Sequence, residues 1–363
     1  MEINMFTPGC LPVLIGSLPI TDHNEAVRII LSYTPEVPLW PQLPKLPREG
    51  MVRQFLSGFP GLTEEGDRYW VNTEQDGFEE KMTSFYQDYM QVENDPAYLK
   101  SSRFGLENDT AKGFYSFVDT LKKQDHLFVT LKGQVTGPIT TGIGVTDQHN
   151  RSIFYDDSLR DVLTKLLALK GRWQVKELRQ LTGDTPPIIF IDEPAVVSFG
   201  SSAFMGVSRE MMSNAVEEVI AGIQADGGLA GVHICANGDW GPILTSSADI
   251  ISFDGYSYFD NFILFKNQLI DFLSRGGLLA WGIIPTGDPR VIQQTNSEEL
   301  FTKWLGQLEL LSTFGFSRKQ LMKQTFIAPS CGTGSLAPEL ALKVLRLTGE
   351  VAVKAQNLLK END

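Results

Sequence analysis

Short apolar runs of strand length alternate along the chain with segments of helical period, and few folds accommodate that order. Eight runs end in Gly, Pro or a polar side chain: residues 13–19, 38–43, 127–137, 188–194, 229–235, 248–255, 278–285 and 325–332. Between most of them lie helical patterns at 22–33, 157–181, 208–224, 259–273, 297–311 and 338–359. Strand and helix in alternation imply parallel strands joined by crossover helices. The runs are near-continuously apolar, as strands covered on both faces must be. No G-x-G-x-x-G turn follows the first run, which disfavours an open dinucleotide-binding sheet. The expectation is an α/β chain forming a single domain over residues 1–363, a (β/α)8 TIM barrel.

Local signals agree with the periods. Ser158 precedes a face built from Leu159, Leu163, Leu166 and Leu167, and Ser297 leads Glu298 and Glu299, an acidic first turn suited to the helix dipole. The spacing breaks once. Residues 44–125 form an insertion after the second strand, with helical patterns at 76–94 and 108–124, and are expected to fold over one barrel mouth as a lid.

Charge and apolar content narrow the partners. With 31 basic against 44 acidic residues the net charge is −13, so the surface repels phosphate backbones and anionic lipid, and nucleic acid is not an expected partner. No apolar run approaches the ~18 residues of a membrane span, and residues 1–20 lack a basic leader region; no membrane partner and a cytoplasmic location are expected. Three cysteines, Cys10, Cys235 and Cys331, are too few and too scattered for a disulfide framework.

In such a barrel the reacting groups stand at the C-terminal ends of the strands. Ser17 closes the first run, Asp192 and Glu193 the fourth, His233 and Cys235 the fifth, Asp254 the sixth and Cys331 the eighth. His233 and Cys235 are two apart on a strand and therefore share a face, so one ion can reach both. Adding Cys331 makes a Cys2His set of the kind zinc favours, with Asp254 as a further carboxylate. The competing reading takes the cysteines as small buried hydrophobes and His233 as a core histidine. One acid of the Asp192-Glu193 pair faces inward, where a buried carboxylate calls for a substrate ammonium or a metal; the alternative is a hydrogen bond to a loop amide. Ser17 after Gly16 is placed to bind a substrate carboxylate. Cys10 reads as structural, and His23, His126 and His149 as surface or capping residues.

The set G-S-L-P at 16–19, V-T-G-P at 135–138, I-D-E-P-A at 191–195, H-I-C at 233–235 and P-S-C-G at 329–332 resembles the catalytic half of cobalamin-independent methionine synthase, within the uroporphyrinogen decarboxylase and methyltransferase superfamily. The resemblance implies zinc on His233, Cys235 and Cys331, with Asp254 where the methionine synthases carry a glutamate. It implies Ser17 at the amino-acid carboxylate and Asp192 at the amine. A second amine-binding glutamate of that family falls on Arg53, by the M-V-x-x-F pattern at 51–55.

The function expected from this resemblance is zinc-dependent methyl transfer to a small thiol such as homocysteine. The chain also lacks the long N-terminal half that helps bind folate in full-length synthases, which by analogy suggests a methylated corrinoid, methylcobalamin, as donor. The expected partners are the thiol and a corrinoid protein, with a homodimer as the assembly to test. The alternatives are methyl transfer between methylcobalamin and coenzyme M, another corrinoid methyltransferase, a tetrapyrrole-binding decarboxylase, and a carrier without turnover.

Overall fold

The computed structural model describes residues 6–123, 128–198 and 206–361. A six-stranded parallel sheet has the order β3 (Lys132–Thr136), β4 (Ile188–Asp192), β5 (Leu229–Ile234), β6 (Ile250–Phe253), β7 (Leu278–Ile284) and β8 (Thr325–Pro329). Each strand pairs with its sequence neighbour, so every connection is a crossover. Helices α4 (Pro138–Gly144) and α5 (Asp157–Thr182) link β3 to β4, and α6 (Arg209–Gln224) links β4 to β5. Helix α7 (Gly241–Leu244) follows β5, α8 (Gly255–Phe262) and α9 (Lys266–Ser274) follow β6, and α10 (Pro289–Gln294), α11 (Ser297–Ser312) and α12 (Arg318–Lys323) follow β7. Helix α13 (Pro338–Glu361) comes after β8.

The strand side chains sort by the period of two. Ile188 and Phe190 join Val13, Ile15, Ile250, Ala280, Phe326 and Ala328 in one apolar cluster on the inner face. Ile189, Ile191, Val232 and Ile251 point the other way, into the larger core shared with the helices. Both faces being covered explains why the strands read as unbroken apolar runs.

The first two apolar runs behave differently from the other six. They form extended segments joined by single parallel bridges, Pro12 to Ile327, Ser17 to Gln42 and Leu39 to Lys132. Backbone bonds accompany them: Val13 N–H donates to Ile327 O at 2.9 Å, Gln42 N–H to Gly16 O at 3.1 Å and Lys132 N–H to Pro38 O at 2.9 Å. Pro12, Pro19, Pro38 and Pro41 remove N–H donors from these segments, which keeps a continuous ladder from forming.

The helix starts lie slightly upstream of the sequence reading. Asp156 rather than Ser158 accepts the first amides of α5, and Asn296 rather than Ser297 those of α11. Residues 44–123 hold an antiparallel hairpin, β1 (Leu62–Glu65) with β2 (Arg68–Val71), then α2 (Phe78–Asn94) and α3 (Lys112–Lys123). Helix α3 packs beside α1 (His23–Tyr33) and α5. The buried Lys170 of α5 donates to Ser57 Oγ at 3.0 Å and Gly105 O at 2.9 Å, tying the start of this stretch to the flank of α5. Another part reaches the C-terminal end of β3, where Thr136 Oγ1 donates to Met51 O at 2.6 Å. Residues 124 and 125, and the first residue of the expected run at 127, lie outside the described residues.

Candidate metal centre

His233 is the penultimate residue of strand β5, Cys235 follows the strand's last residue, and Cys331 follows β8. Their ligand atoms all lie within 4.8 Å of one another; among the described residues this is the group of His, Cys, Asp or Glu able to hold a metal ion. His233 is buried and both cysteines are half-buried. Its Nδ1 is 2.9 Å from Ser252 Oγ, while Nε2 is buried without a hydrogen-bond partner. A buried ring nitrogen with no partner is costly, so Nε2, on a ring grouped with two sulfurs, fits a position that takes a cation.

The sulfurs act as a coupled pair. The contact with Cys331 and the neighbouring His233 pull the Cys235 thiol down to about 4, against the burial that raises it. The same contact, with burial, pushes the Cys331 thiol up. Two cysteine sulfurs and an imidazole are three donors that would hold zinc rather than magnesium or calcium. The chemistry of the donor set and the orphaned Nε2 both fit that ion.

The loop carrying Cys331 is held from two sides. Ser330 Oγ lies 2.9 Å from Thr286 Oγ1 and accepts from Thr286 N–H at 3.1 Å. Thr333 Oγ1 donates to Ser17 O at 2.9 Å, and Gly334 N–H donates to Ser17 Oγ at 3.1 Å. Ser17 therefore stands against the Cys331 loop, with its own hydroxyl proton still available to donate.

Asp192 sits opposite His233 in the β4–β5 register. Burial raises its carboxyl to about 6 although His233 and Lys132 oppose the shift. Its Oδ1 is buried without a partner. Lys132, also fully buried, is lowered to about 7 by burial; it donates to Ile15 O at 2.6 Å and lies 4.2 Å from the Phe190 ring centre. Glu193 points to the other face. Its Oε1 accepts from Ile139 N–H at 2.8 Å and its Oε2 from Thr140 N–H at 2.9 Å and Thr140 Oγ1 at 2.6 Å, capping α4. Of the two readings open to this pair, Asp192 takes the inward position and Glu193 the hydrogen bonds to amides.

Two further residues have local partners. Asp254 Oδ1 accepts from Ser257 N–H at 2.8 Å and so caps α8; the charge of Cys235 also reaches it. Arg53 is buried and donates from Nε to Glu64 Oε1 at 3.0 Å, with its guanidinium 5.9 Å from the Tyr69 ring centre; it ties the hairpin down. His23 and His149 pair with Glu49 and Glu74, and Cys10 donates to Met322 O at 3.3 Å. His126 lies outside the described residues.

No protein-family model and no curated protein matches the sequence. Among solved structures, the chain is similar to a B12-independent methionine synthase from Shewanella sp. W3-18-1 in complex with selenomethionine. Identity is 16% and the TM-score 0.54, over 97% of this chain and 99% of that one. It is also similar to the Listeria monocytogenes protein assigned as a vitamin-B12 independent methionine synthase, with 13% identity and a TM-score of 0.50, over 95% of this chain and 97% of that one. The likeness is one of fold. It gives this chain a mixed α/β architecture around a parallel sheet, shared with distant structures along nearly their full lengths.

Sequence reasoning missed Ser252 and the joint of Ser330 with Thr286. A usable signal exists for the first: Ser252 and His233 each stand one residue before the last of their strands, which places them side by side in a parallel pair.

Proposed function

We propose that the chain is a zinc-dependent methyltransferase acting on a small thiol, homocysteine first among them, with a methylated corrinoid as donor. The observation that carries this reading is the convergence of a ring nitrogen of His233 with the sulfurs of Cys235 and Cys331 from the ends of two distant strands. The fold supports it, being shared with structures named as methionine synthases, one of them holding selenomethionine. An eight-stranded barrel is the architecture proposed for the whole, supported by the three bridges that link residues 12, 17 and 39 to their neighbours.

Zinc, when bound, would offer an open position that takes the acceptor thiol and holds it as thiolate near neutral pH. Cys235 and Cys331 supply negative charge there and keep a neighbouring sulfur electron-rich. Asp192, inward and with a bare Oδ1, is the group to receive a substrate ammonium. Ser17, anchored on Gly334, turns its hydroxyl proton toward a carboxylate. Residues 44–125 are proposed to help exclude water from the mouth, since alkyl transfer depends on alignment and a dry site more than on proton shuttling. Both neighbours carry names that say B12-independent, so the donor is tested separately from the metal.

The experiment is methyl transfer from methylcobalamin to a panel of thiols, homocysteine and coenzyme M among them, by the purified protein. Cys331→Ser is expected to lose zinc and thiol methylation together with an unchanged circular dichroism spectrum. Transfer that persists in that variant, or in protein stripped of metal, overturns the proposal. Carbon dioxide release from an acidic tetrapyrrole would replace it with the decarboxylase reading.

A further inference from the structure

His233 and Ser252 face each other across the β5–β6 ladder, one on each strand of a parallel pair. Both are buried, at 3% and 1% exposure. Their contact at 2.9 Å engages Nδ1 of the imidazole, and Nε2 is buried with no hydrogen bond of its own. Among the described residues no carboxylate hydrogen-bonds this ring. A serine hydroxyl stands where a ligating histidine needs an acceptor.

We propose that Ser252 is the positioning residue of the metal centre, an inference that rests on the metal reading above. A neutral imidazole carries one ring proton. With that proton on Nδ1 and accepted by Ser252 Oγ, the lone pair is left on Nε2, the nitrogen without a partner. The opposite tautomer would put the proton on Nε2 and leave that nitrogen no lone pair for a metal. The hydroxyl also fixes the ring plane, because the register of β5 on β6 sets where Oγ lies and no flexible stem intervenes. Removing Oγ leaves a buried Nδ1–H without an acceptor in the ligating tautomer, a penalty that falls on metal binding more than on the fold.

The test is cobalt(II) and zinc affinity of the full chain by chelator competition, with the sulfur-to-cobalt charge-transfer band read in parallel. Ser252→Ala is expected to weaken both metals by about 10–100-fold. Ser252→Thr, which restores the hydroxyl, is expected to return affinity and band to near the wild-type values, and the melting temperatures of the metal-free proteins should agree closely. Equal affinity in wild type and Ser252→Ala overturns the role of Ser252 alone. Weak binding in Ser252→Thr as well as Ser252→Ala overturns a role for the hydroxyl. A wild-type protein that binds neither metal overturns the metal reading itself.

Discussion

Glu193→Gln separates two adjacent acids that the sequence presents as equals. The Glu193 carboxyl accepts at both oxygens, from two backbone amides and one hydroxyl. A carboxamide accepts at one oxygen only, and its NH2 then faces an N–H. Room to relax is absent, since even a Cβ on Gly137 would come within 2.2 Å of the Glu193 carboxyl. One buried amide of α4 is left unpaired, at a cost of about 1–3 kcal/mol. With an unfolding entropy of roughly 0.8 kcal/mol/K for a chain of this length, the melting temperature should fall by about 1–4 °C. The assay is urea or thermal unfolding at pH 8, where a carboxylate held by these three donors is ionised. A variant as stable as wild type that has lost methyl transfer would refute the reasoning and make Glu193 a substrate-facing residue.

Other substitutions probe the inner rim. Asp192→Asn should raise KM for thiols that carry an ammonium group at least tenfold and leave thiols without one nearly unchanged, as read in steady-state transfer assays. Asp254→Asn keeps an acceptor for the Ser257 amide; zinc affinity should stay within about threefold, and a loss of tenfold or more would make the carboxylate a ligand. Gly332→Ala would place a Cβ 2.2 Å from Ser17 Oγ, so the Cys331 loop must shift, and chelator competition should show weaker zinc binding in a folded protein.

The sequence was informative wherever a short-range pattern decides the outcome. Six of the apolar runs became strands because an unbroken apolar stretch with a crossover helix on either side has little else to become. The alternation along β5 put His233 and Cys235 on one face, and the end of β8 brought Cys331 to them. Prolines in the first two runs remove N–H donors, a local signal against continuous ladders there. The hairpin at 62–71 turns on Gly66, at φ 60°, followed by Asp67, a two-residue loop with glycine first and so a local signal of the turn. Partner choice over long range was not readable. Arg53 finds Glu64 and Glu193 finds the start of α4, and each pairing depends on packing that no spacing encodes.

X-ray absorption at the zinc edge, on protein purified without added metal, puts the central claim to trial. The account predicts one zinc per chain, with two sulfur ligands at about 2.3 Å and a nitrogen at about 2.0–2.1 Å. A shell without sulfur, or protein that holds no zinc after loading, would contradict it.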